Sequence, residues 1–135
     1  MTKTPPKRLR DSDGQTLVEF ALVLPLLAVL LFGVIQFGIV FNHYLDLTDA
    51  VRAGARQAAV SRQTSDPTGP DGVATQAVVN SAGDITIDPN KVTITSSWQP
   101  GADVTVQAAY PYSINLFGWV FASGDLHSKT TERVE

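Results

Sequence analysis

From Leu17 to Phe41 the chain is apolar almost without interruption, with Glu19 and Gln36 the strongly polar exceptions. That supplies the ~20 apolar residues a helix needs to cross a bilayer. Past Phe41 the pattern turns from continuous to periodic. Tyr44, Leu47, Val51, Ala55 and Ala58 recur at spacings of three and four, which places them on one helical face. Asp46, Asp49, Arg52 and Arg56 fall mainly elsewhere. The pattern therefore predicts one helix from Gln15 to about Ala59 or Ser61. At ~1.5 Å per residue it would measure about 70 Å, more than twice the ~30 Å hydrocarbon thickness. Pro25 lacks a backbone donor and predicts a kink or a loosened turn, which a neighbouring helix or a local rearrangement would have to compensate. Gly33 and Gly38 are not spaced as a GxxxG packing motif and read as ordinary membrane-helix glycines. The small residues Ala53-Gly54-Ala55 and Ala58-Ala59 would let another element approach closely. We expect that element to be the chain's own domain rather than a second subunit.

The remainder alternates in shorter periods. Asp66-Pro67, Gly69-Pro70 and Asp71-Gly72 are turn dipeptides that should end the long helix. A short helix follows over 72–82, with Val73, Ala77 and Val78 available for burial and Gly83 as its C-terminal cap. Asp84 to Asp88 could add a short extended piece. Val92, Ile94 and Trp98 alternate with Thr93, Thr95 and Ser97, a strand with one apolar face. Gln99-Pro100-Gly101-Ala102 suits a type II turn, and Val104, Val106, Ala108 and Tyr110 resume the alternation, completing a hairpin. Pro111 should end the second strand. Leu126 to Val134 should return as a third, with weak alternation. The fold class is thus α+β: a long N-terminal transmembrane helix, then a small domain with a short helix and a two- or three-stranded antiparallel sheet. A domain of this size buries little core alone, so docking on the helix from Phe41 to Val60 is expected.

Between the last two strands lies a second apolar patch, Ile114 to Phe121, too short to span a bilayer. Phe117, Trp119 and Phe121 alternate with Leu116, Gly118 and Val120. The three rings are a candidate interface with a partner or with the headgroup level of a membrane; equally, the segment could fold back and complete the core.

Charge adds an orientation. Lys3, Lys7, Arg8 and Arg10 precede the apolar run, and Arg52 and Arg56 are the basic residues in the twenty after it. That bias favours the N-terminus inside and the C-terminal domain outside. Residues 1–13, with Pro5 and Pro6, read as a disordered basic leader. The net charge of -3 over 135 residues argues against nucleic acid as a partner. With no cysteine, disulfides, thiol nucleophiles and cysteine metal sites are excluded. His43 and His127 are far apart in sequence and read as solvated. No nucleotide-binding or zinc-protease motif occurs. Asp11-Ser12-Asp13-Gly14 lacks the remaining ligands of a calcium loop. The sequence therefore points to no enzyme, no metal and no cofactor.

The informative chemistry is Glu19. An ionisable group inside a spanning segment costs at least ~2.5 kcal/mol at the bilayer centre, which makes it a functional candidate by default. It stands five residues after Gly14 and directly before Phe20. The run Gly14-Gln15-Thr16-Leu17-Val18-Glu19-Phe20-Ala21-Leu22-Val23-Leu24-Pro25 resembles the opening of TadE-like proteins, pseudopilins of tight-adherence (Tad) pili, a branch of the type IV pili. Phe37-Gly38 and Ala50-Val51-Arg52-Ala53-Gly54-Ala55-Arg56 are also similar to that family. So, more loosely, are Pro100-Gly101, Val104-Thr105-Val106 leading into Tyr110-Pro111-Tyr112, and Arg133-Val134-Glu135. The family more often carries an apolar residue where Glu132 stands.

The resemblance implies a minor pseudopilin of the bacterial cytoplasmic membrane, with a prepilin peptidase and other pilins and pseudopilins as partners. Its leader, residues 1–14, would be cleaved between Gly14 and Gln15. Residues 15–61 would form the transmembrane helix with its extracytoplasmic extension, and 62–135 the outer domain. Glu19 and Phe20 complete the processing signal, and Glu19 and Pro25 would serve assembly. Two other readings stand beside it. A conventional secretory signal peptide would have a core of ~7–15 residues ending near a small-residue cleavage site; this core is longer, and Ala53-Gly54-Ala55 lies well beyond its end. An uncleaved single-pass protein whose outer domain binds a partner of a secretion complex would use Glu19 as an intramembrane contact.

Overall fold

The computed structural model describes the backbone of residues 11–116 and 118–135, and the side chains of those residues apart from 11–13 and 116. Two helices, a 3-10 turn and three strands follow in the order α1 (Asp11–Val60), α2 (Gly69–Asn80), the 3-10 turn Pro89–Lys91, β1 (Val92–Ser96), β2 (Asp103–Leu116) and β3 (Trp119–Arg133). The chain divides into two compact units, one ending at Ile35 and one from Gln36 to Glu135. The α+β expectation holds.

α1 ends at Val60, where the apolar periodicity stops, and continues through Pro25. It begins at Asp11, so the expected irregular leader is already helical over Asp11–Gly14. The expected leader residues before Asp11 lie outside the described residues.

In the second unit, α1 carries the core stripe that its periodicity forecasts. Leu47, Ala50, Val51, Ala55 and Ala58 are buried, while Tyr44 stays exposed. These residues join Ala74 and Val78 of α2, Ile85, Ile87, the strand residues Val104, Val106 and Ala108, and Val134 in one core. The face of small residues thus packs on the chain's own domain. Gly54 lies so close to α2 that a Cβ there would collide with the Val78 side chain and come within 3.2 Å of the Ala74 carbonyl oxygen.

α2 opens three residues earlier than the turn dipeptides suggest, because Gly69-Pro70 starts the helix instead of breaking it. Proline tolerates the first helical turn, where its missing N–H has no helical partner to lose. The C-cap is Ser81, not Gly83; Gly83 turns the chain two residues later, at φ 61°. Ile85 and Ile87 are buried on irregular chain, so Asp84–Asp88 adds no strand.

The sheet has the order β1-β2-β3, antiparallel throughout. Gln99–Ala102 closes the predicted turn, with Ala102 N donating to Gln99 O at 3.0 Å and Gly101 at φ 78°. β2 does not stop at Pro111; it continues to Leu116, pairing Pro111 with Asp125. β1 pairs with β2 only as far as Val92↔Ala108. Beyond it β2 is bonded on one side, and a strand tolerates proline where the missing donor faces an unpaired edge. The third strand forms, and along it Ser128 is buried, Leu126 and Thr130 are partly so, and Glu132 is exposed; Val134, just past its end, is buried.

Candidate functional site

The proposed processing residues lie on the first turns of α1. Gly14, Gln15, Glu19 and Phe20 are all exposed. Gln15 Nε2 donates to Glu19 Oε1 at 3.1 Å, a contact that the four-residue helical spacing dictates. A Cβ on Gly14 would meet no atom within 4 Å. Nothing within the described fold therefore requires a glycine at that position. From Leu17 to Phe41 the large apolar side chains other than the half-buried Val40 remain uncovered, among them Leu17, Phe20, Leu26, Leu30, Val34 and Phe37. α1 is the described helix long and apolar enough to cross a membrane.

The other proposed site lies at the far end of the β2–β3 hairpin. Trp119, Val120 and Phe121 are 77%, 63% and 67% exposed, so the described tip is not core. Phe117 lies outside the described residues. The ladder runs almost to the end, with Leu116 opposite Trp119 and Asn115 opposite Val120. A register shift follows at Ile114, which faces Ala122 and leaves Phe121 as the extra residue of a bulge. Alternation does not give the tip a covered face and an open one, as the sequence suggests, because the long hairpin carries these residues away from the core.

Within the second unit, this hairpin follows α1 back toward its apolar half. The Tyr110 ring meets His43 edge-on at 5.5 Å between centroids. Ile39, Val40 and His43 then line a cleft of about 160 Å³ with Tyr110, Pro111, Tyr112 and Ser113. Lower still, Gln36 Nε2 donates to the Asn115 carbonyl at 3.2 Å. His43 is thus packed against a ring instead of solvated, while His127 is exposed. No group of His, Asp or Glu suited to a metal occurs among the described residues.

The sequence reading missed the Gln36–Asn115 contact. Gln36 was visible as a polar interruption, but its partner lies 79 positions away, past a proline that seemed to end the strand.

An exposed apolar helix continuing into an α+β head defines a membrane-anchored protein. Residues 14–56 match the family model described as TadE-like protein. The match supports the resemblance drawn from Gly14, Glu19 and Phe20 and suggests an association with the Tad pilus, of which that family is a structural component. No curated protein and no solved structure matches the chain.

Proposed function

We propose that this chain is a minor pseudopilin of a Tad pilus, inserted in the bacterial cytoplasmic membrane as a prepilin. Its N-terminus lies inside and its C-terminal domain outside. A prepilin peptidase cuts between Gly14 and Gln15, and the mature helix then packs among other pilins and pseudopilins. The observation that carries this reading is the segment Gly14–Phe20, exposed on α1 and standing at the start of the family match.

A peptidase needs close access to an extended backbone, and glycine obstructs the bond least. The bond also follows the fourth residue of α1. Backbone N–H groups in a first helical turn have no intrahelical partners, and glycine is a weaker helix former than alanine. Local unwinding at Gly14 is therefore cheap. Cutting creates an α-amine on Gln15, one turn from Glu19, so the carboxylate can meet its own or a neighbour's amine. Such a pairing gains most where the effective dielectric is low.

Peptide mapping of the protein from cells expressing the peptidase should find Gln15 as the mature N-terminus, and Gly14→Arg should leave a longer precursor. Recovery of an intact Met1 start from those cells would overturn the reading.

A further inference from the structure

We infer that the tip of the β2–β3 hairpin is a second membrane contact, which seats Trp119 and Phe121 among the lipids where α1 leaves the bilayer. The inference uses membrane anchorage by α1 but does not depend on cleavage or on the pilus.

Depth is the first argument. Gln36 stands five residues before Phe41, the last residue of the apolar run. At ~1.5 Å per residue it therefore lies about 7 Å inside the end of that run. The Asn115 carbonyl accepts from Gln36 Nε2, so the hairpin reaches down to the same level. Between His43 and Gln36 the hairpin descends in step with the helix, from Tyr110 through Tyr112 to Asn115. The contact also suits its surroundings, since a side-chain amide in hydrocarbon without a partner is costly.

Surface chemistry is the second argument. From Asn115 to Gly124 the chain carries no charged residue. The first beyond is Asp125, which pairs with Lys91 at 3.2 Å. Trp119, Val120 and Phe121 are exposed, and so, on the helix of the same unit, are Phe37, Ile39 and Phe41. The tip and the end of the anchor thus share one kind of surface at one level. Aromatic residues favour the membrane–water boundary, where an apolar ring enters lipid while polar edges stay hydrated. The bulge at Phe121 adds local twist and re-aims side chains at the tip. Continuity with the anchor favours lipid over a second protein.

The test uses the full chain in vesicles of phosphatidylethanolamine and phosphatidylglycerol. The protein has two tryptophans, Trp98 and Trp119, so the emission lost in Trp119→Phe isolates the tip. Lipids brominated near the headgroup end of the acyl chain should quench most of that emission, and those brominated near the chain end should quench it less. Changing the phosphatidylglycerol fraction should leave the result unaltered, because no charge lies at the tip. As a second probe, Phe121→Cys in this cysteine-free chain takes an environment-sensitive dye, whose emission should shift to the blue and respond to the same lipids. Water-like emission without quenching by either lipid would overturn the inference. Blue-shifted emission that neither lipid quenches would also overturn it, in favour of a protein contact.

Discussion

Asp66 shows how a single side chain organises the exit from α1. Its carboxylate accepts from both the hydroxyl and the backbone N–H of Thr68. The hydroxyl contact, followed by the backbone one, holds its pKa below the ordinary 3.8. Both bonds favour the ionised form. The linked contribution to stability is therefore fully present above the ordinary carboxylate range and is lost as pH falls through the lowered value. Asp66 is exposed, so the effect on the whole fold is small and is best read at the group itself. Thr68→Val removes the larger cause and should move the carboxyl titration of Asp66, followed by NMR, upward toward its ordinary position. A titration that stays in place would show that the hydroxyl contact is not made in solution.

Between the elements, the most demanding contact is that of α1 with α2 at Gly54. Alanine is worth up to ~1 kcal/mol over glycine in a helix interior. Here its methyl group would meet Val78, which is fully buried and cannot step aside, and the Ala74 carbonyl is backbone. Overpacking of this kind costs ~1–3 kcal/mol. Gly54→Ala should therefore lower the melting temperature in detergent, whereas Gly38→Ala, with no atom within 4 Å of the added carbon, should leave it level or slightly higher.

The stripe that carries Gly54 was legible in the sequence, since spacings of three and four had already put Leu47, Val51, Ala55 and Ala58 on one face. β1 was legible for the same reason, through the alternation of Val92 and Ile94. What stayed hidden were readings in which a local signal was overruled by its neighbours. Gly69-Pro70 is a turn in isolation and a helix start once the following residues are helical. Pro111 breaks a strand flanked on both sides and is accepted where β1 has ended. The aromatic tip gave no sign of its exposure because alternation records a face and cannot tell whether anything covers it.

For the whole molecule, the decisive division is between a helix uncovered over its apolar part and a head with its own core. That division leaves Glu19 with no role in holding the head together. Glu19 contacts Gln15 in its own helix and lies in the unit that ends at Ile35. Glu19→Ala should thus insert in the membrane and leave the melting of the head unchanged, yet co-purify poorly with partner pilins. Normal co-purification of that variant would remove the carboxylate's proposed role in assembly.

Val134 is buried, and it exchanges backbone bonds with Gly101 and Ala102, both at 2.8 Å. The N–H of Glu135 then reaches the Ala59 carbonyl at 3.0 Å, and Arg62 Nε meets the Glu135 carbonyl at 3.1 Å. The end of α1 is thus completed by residues made more than seventy positions later. Contacts of such long sequence separation form late and slowly, because loop closure must precede them. A chain that lacks Val134 and Glu135 therefore loses the bonds that complete the end of α1. If the head crosses the membrane as proposed, its closure waits on these last contacts, and an intermediate stalled before them would stay open to proteolysis.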